Sequence, residues 1–129
     1  MADVMNLVGR ILISLVFLGG FAQKMLDPGP VRGMIEGIGL PGNLIWPVAL
    51  LNLAGVLGLV LGPGVKTVRF WGLVLAAYCI FTSYFHWQLR ADPWQVTIVV
   101  KNWAIAGGLL ILAASGPGRY VVGGRSQAT

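Results

Sequence analysis

Four apolar runs of near-bilayer length, residues 7–25, 44–61, 68–87 and 96–114, dominate this sequence. A helix that crosses a bilayer needs about 20 such residues, whereas the strands of a membrane barrel are about half as long and alternate in polarity. None of the four runs alternates. Backbone N–H and C=O groups find no water inside lipid, so only helices or closed barrels satisfy them there. The runs therefore predict an all-α membrane protein with four transmembrane helices in an antiparallel bundle. A soluble alternative fails on composition. The chain of 129 residues is 57% hydrophobic and 10% charged, against about 25% charged in an ordinary soluble domain. A small fold keeps too much of its surface exposed to hide that much apolar side chain from water.

Proline and glycine mark the breaks. Asp27-Pro28-Gly29-Pro30 stops the first run, because proline neither continues a helix nor lets its predecessor do so easily. Leu40-Pro41-Gly42-Asn43 precedes the second run, and Gly62-Pro63-Gly64 joins the second to the third in a tight turn. Asp92 and Pro93 suit the N-cap and first position of the fourth helix. Gly116-Pro117-Gly118 ends it. Met34, Ile35 and Ile38 suggest a short interfacial helix between the first and second spans. Three segments follow: a short N-terminal piece (1–6), a transmembrane domain (7–119) and a flexible tail (120–129). The first run has an acid and no base before it and lacks a small-x-small cleavage site, so it reads as a retained helix rather than a signal peptide. Gly58-x-x-x-Gly62 in the second helix and Gly107-Gly108 in the fourth offer small faces for close packing.

Net charge is +5, but the nine Lys and Arg are scattered singly. With no basic run, nucleic acid is not an expected partner; the expected partners are the lipid bilayer, membrane proteins or a second copy of the chain. Four spans put both termini on one side, with Arg10, Lys66, Arg69, Arg119 and Arg125 against Asp3. The far side holds Lys24, Arg32, Arg90 and Lys101 against Asp27, Glu36 and Asp92. Lys24 and Lys101 lie within apolar runs rather than loops, so the positive-inside rule favours cytoplasmic termini in a bacterial inner membrane. Trp46, Trp71, Trp87 and Trp94 fall near helix ends, as aromatic belts do.

Polar residues inside apolar runs are costly and suggest function by default. At 1.5 Å of rise per residue, Lys24, Asn52, His86 and Lys101, one from each helix, fall in the half of the membrane away from the termini. Cys79, Thr82, Ser83, His86 and Arg90 share a face of the third helix, with Tyr78 and Trp87 beside it. Trp94, Thr97 and Lys101 share a face of the fourth. A bland reading stands beside each: Lys24 and Lys101 snorkelling to headgroups, Asn52 bonding a neighbouring helix, His86 resting at the interface. Arg10 reads as an anchor on the side of the termini. Cys79, alone, forms neither an internal disulfide nor a redox pair, and no set of metal ligands is present.

The ordered set Gly9-Arg10, Gly20-Phe21-Ala22-Gln23-Lys24, Gly39-Leu40-Pro41, Leu53-Ala54-Gly55 through Leu61-Gly62, His86, Lys101-Asn102 and Gly116-Pro117-Gly118-Arg119-Tyr120 resembles the DoxX family over residues 7–120. The resemblance implies a four-helix inner-membrane protein linked with quinone-associated thiosulfate oxidation and with membrane complexes that handle thiol or oxidative stress. Lys24, His86 and Lys101 match polar positions of that pattern. Asn52 departs from it, since many relatives carry glutamate there. That change removes a possible proton carrier and a partner for Lys101. The leading expectation is a subunit of a membrane redox complex, with Lys24, Asn52, Tyr78, His86, Trp87 and Lys101 around a quinone or lipid-like ligand. The chain shows no haem-ligand pair, Fe–S cysteines or nucleotide motif, so a partner would carry electrons over distance. A structural accessory subunit and a small transporter are the alternatives; no inverted repeat or broken helix favours the transporter.

Overall fold

A computed structural model describes residues 1–62 and 64–121. Its helices are α1 (Ala2–Leu26), α2 (Gly29–Gly37), α3 (Ile45–Val60), α4 (Gly64–Gln88) and α5 (Pro93–Ser115), with a 3-10 turn, Gly42–Leu44, leading into α3. No strand occurs among the described residues. Four helices, α1, α3 with its leading turn, α4 and α5, are long and apolar enough to cross a membrane. The short α2 is the extra helix expected between the first two spans. Helix α1 takes in the N-terminal segment from Ala2 onward. Most of the expected flexible tail, from residue 122, lies outside the described residues.

The breaks fall where proline and glycine place them. Asp92 Oδ1 accepts the backbone N–H of Trp94 at 3.0 Å, and Pro93 opens α5. This satisfies one of the donors that a helix start leaves unpaired. Gly64 and Gly116 take φ of +82° and +86°, a region that side chains disfavour and glycine enters freely. Short connections make sequence neighbours antiparallel. The α4–α5 pair packs most extensively, followed by α1–α3 and then α3–α4.

Lipid reverses the usual contrast between inside and outside. Leu12, Leu50, Phe70, Leu73 and Ile111 point outward, where acyl chains solvate them. The inward face of α1 runs Arg10, Ser14, Phe17 and Lys24, a helical spacing with a cation near each end. Phe17 joins Leu59, Leu75, Cys79, Ala106 and Leu109 in the apolar core. Small residues let the helices approach. A Cβ on Gly55 would lie 2.7 Å from Leu75 Cδ2, and one on Gly58 would overlap the Trp71 ring. Gly72 lets α4 approach α5, where a Cβ would meet the Leu109 carbonyl at 3.1 Å. The expected glycine faces are only partly used: Gly62 lies beyond the end of α3, Gly107 faces open space, and a Cβ on Gly108 would make only an ordinary contact with Ile13.

Candidate functional site

Lys24 lies in the last turn of α1, and its side chain runs back into the membrane. Helical Cα–Cβ bonds tilt toward the N-terminus, so a lysine near the C-terminal end of a span is aimed inward, against the snorkelling direction. Nζ donates to Gly20 O at 3.2 Å and to Asn52 Oδ1 at 2.9 Å. Gly20 packs beside the pair: a Cβ there would sit 3.5 Å from both Lys24 Nζ and Asn52 Oδ1, an ordinary van der Waals contact. Lys24 is 7% exposed and Asn52 1%. Tyr78 lies beside Asn52 and packs its ring on Phe17 with centroids 6.3 Å apart. The ammonium therefore joins α1 to α3, and Tyr78 of α4 lies on the other side of Asn52.

Both oxygens that answer this ammonium are neutral. The sole ion pair among the described residues is Arg119–Asp3, at the opposite end of the bundle. Lysine has three N–H donors, and the third finds no partner among the described residues. Burying an ammonium costs several kcal/mol, so a position held this way favours any further oxygen that reaches it.

The other expected site residues separate into distinct places. His86 Nδ1 lies 2.6 Å from Gln95 Oε1 across the α4–α5 turn; with Nδ1 as donor, Nε2 is left as an acceptor. Trp87 is exposed and carries the Arg90 guanidinium 4.9 Å above its ring, an interfacial arrangement. Lys101 is exposed on the face of α5 turned away from the core, and Asn102 beside it is half-buried. The hydroxyls of the α4 stripe bond their own helix, Thr82 to Tyr78 O at 2.9 Å and Ser83 to Cys79 O at 2.7 Å. They are thereby less available to a ligand. Two partners were missed in the sequence. Gln95 had a signal, since residues 86 and 95 are symmetric about the tight turn near Arg90. Gly20 had none beyond its place one turn before Lys24.

A cleft of about 330 Å³ opens at the same end of the bundle. Pro30, Gly33, Met34, Gly37 and Ile38 of the α2 region form one wall, and Phe85, Gln88 and Leu89 form the other. The glycines create the space, because a Cβ on Gly33 or Gly37 meets nothing within 4 Å. The volume lies at the lower end of small-molecule sites. No group of His, Cys, Asp and Glu that could hold a metal occurs among the described residues.

At the end bearing the termini, Arg10 is more than an anchor. It is 1% exposed. Its Nε donates to Asn6 Oδ1 at 3.0 Å and Nη1 to Leu59 O at 2.8 Å, and Nη2 donates to Tyr120 O. Leu59 O belongs to the carbonyls that a helix C-terminus leaves unpaired. Arg10 thus ties α1 to the end of α3 and to the segment after α5, and Asn6 Nδ2 adds Gly116 O at 3.1 Å.

The sequence model of the DoxX family matches residues 5–88, which include Lys24, Asn52, Tyr78, His86 and Trp87. Inner membrane protein YqjF of Escherichia coli strain K12 is 30% identical over 120 residues, spanning 93% of this chain and 90% of that protein. No solved structure matches the chain.

Proposed function

The chain belongs to the DoxX family of integral inner-membrane proteins, and from that premise we propose that it is the quinone-holding membrane subunit of a redox assembly. One observation carries the reading. Lys24 holds a buried ammonium between α1 and α3 with two neutral acceptors and one N–H left over. A quinone carbonyl is a neutral acceptor while oxidised and gains negative charge as it is reduced. A fixed ammonium with no carboxylate beside it favours the reduced, charged form more than the oxidised one, through charge-assisted hydrogen bonding. The oxygen of Asn52 orients the ammonium, and the aromatic faces of Phe17 and Tyr78 suit a flat ring. The α2–α4 cleft at the same end offers apolar volume for an isoprenoid tail. The sequence contains no electron-carrying motif of its own, so the electrons come from or pass to a partner chain. The termini face the cytoplasm in this reading, which puts the more cationic end inside.

The test is direct. The protein is purified from membranes in mild detergent, extracted with organic solvent, and its quinone quantified against co-purified phospholipid. The expected result is quinone near equimolar with the wild-type chain and reduced to the lipid background in Lys24→Met. If wild type and variant carry the same ratio of quinone to phospholipid, the proposal fails.

A further inference from the structure

The start of α4, at the end bearing the termini, concentrates positive charge that pairs with no carboxylate among the described residues. A helix N-terminus carries roughly half a positive charge, so acidic side chains are favoured there and cationic ones are not. The first turn of α4 has no acid. It has Lys66, exposed, and then Arg69, whose Nε is buried without a hydrogen-bond partner among the described residues. The Arg69 guanidinium lies against the Gly116 turn, with Nη2 3.0 Å and Nε 3.2 Å from where a Cβ on Gly116 would be. That turn is fixed in place by Asn6 from α1. Arg10 is close by, with its carbonyl acceptors already engaged.

Charge sharpens the point. Of the four acids in the sequence, Asp27, Glu36 and Asp92 belong to the opposite end of the bundle, and residues 122–129 contain no Asp or Glu. Asp3, the one acid at this end, accepts from the Arg119 backbone N–H at 2.9 Å and pairs with the Arg119 side chain at 3.9 Å. Arg10, Lys66 and Arg69 are left without a carboxylate. A groove of about 150 Å³ between α1 and α5, lined by Asn6, Gly9, Arg10, Ile13, Ile111 and Leu112 among others, opens at this end. A guanidinium fork matches phosphate geometry bidentately, and a helix N-terminus favours the same anion.

We propose that Arg69 and Lys66, at the start of α4 beside the Gly116 turn, bind the phosphate of an anionic phospholipid, with one acyl chain following the α1–α5 groove. The lipid supplies negative charge beyond that of Asp3, which Arg119 already takes up, and holds the segment after α5 against the bundle. The site is separate from Lys24 and does not depend on the quinone reading.

Native mass spectrometry of the full chain tests it, with the protein released from micelles holding equal phosphatidylglycerol and phosphatidylcholine. Wild type should retain phosphatidylglycerol preferentially. One juxtamembrane cation contributes enough attraction to anionic lipid for its loss to lower the preference about fivefold. Arg69→Gln and Lys66→Gln should each show that drop, Arg69→Lys should retain most of the preference, and Arg32→Gln at the far end should leave it unchanged. Because Arg69→Gln can also loosen the fold, Lys66→Gln, which alters an exposed side chain, provides the second reading. Equal retention of the two lipids by wild type overturns the proposal, as does a preference unchanged in both Gln variants. Displacement of phosphatidylglycerol by millimolar inorganic phosphate would show a free-anion site instead. Retention of an acidic partner protein in place of lipid would also overturn it.

Discussion

Replacing Arg10 tests the account of the bundle end most sharply. In Arg10→Met the apolar stem is kept and the guanidinium removed. Three acceptors then lose their donor at once: Asn6 Oδ1, Leu59 O and Tyr120 O. Hydrogen bonds from a charged donor are worth about 1.5–3 kcal/mol each. Their sum is offset by the desolvation that the buried charge no longer suffers, which is itself several kcal/mol. The net expectation is a loss of about 1–3 kcal/mol, the cost of leaving buried neutral acceptors without a donor. Arg10→Lys separates charge from geometry. A lysine keeps the charge but, as a single compact group, does not reach three separated acceptors. It should recover less than half of the loss. The assay is reversible unfolding in mixed micelles, with tertiary structure followed by near-ultraviolet circular dichroism. A loss below about 1 kcal/mol for Arg10→Met, or full recovery in Arg10→Lys, would refute the claim that this network closes the bundle.

Three further outcomes follow from the packing and the site. Gly58→Ala places a methyl group into Trp71 and should destabilise the α3–α4 contact by about 1–3 kcal/mol in the same unfolding assay; Gly107→Ala, whose Cβ meets nothing within 4 Å, should be near neutral. Asn52→Asp puts a carboxylate where Lys24 already finds an oxygen at 2.9 Å. Desolvation of the buried carboxylate offsets the ion pair, so fold stability should change little, while quinone retention should fall because the ammonium is then neutralised; unchanged retention would count against the Lys24 site. Gly37→Leu adds a side chain to the lining of the α2–α4 cleft, where a Cβ meets nothing within 4 Å. It should weaken retention of a long-tailed quinone and spare a short-tailed one, and equal binding of both would remove the cleft from the account.

The spans were legible in the sequence because hydropathy and the Pro–Gly breaks act over whole segments. Depth was legible more coarsely: counting residues along α1 and α3 puts Lys24 and Asn52 in the same half of the membrane, and the two side chains meet at 2.9 Å. Rotation about the helix axes was not. In water, the apolar stripe of a helix shows which face is buried. In lipid, the outer face is as apolar as the core, so Ile111 and Leu112 read alike although one is exposed and the other buried. Lys101 was therefore expected near Asn52 and instead faces outward, while Lys24 turns inward to take Asn52 as its partner. Arg10 was expected at the headgroups because an isolated helix leaves it nothing else. Its acceptors come from α3 and from the segment after α5, and no local pattern in α1 announces them.

The central claim is that Lys24 presents a buried ammonium to a ligand oxygen between α1 and α3. A density map of the wild-type protein in lipid nanodiscs with a short-tailed quinone tests it most directly. A flat density is expected beside Phe17 and Tyr78, with an oxygen within hydrogen-bond distance of Lys24 Nζ, absent from the Lys24→Met map. Quinone density elsewhere, or a Lys24–Asn52 pair unchanged and without ligand at saturating quinone, would contradict it.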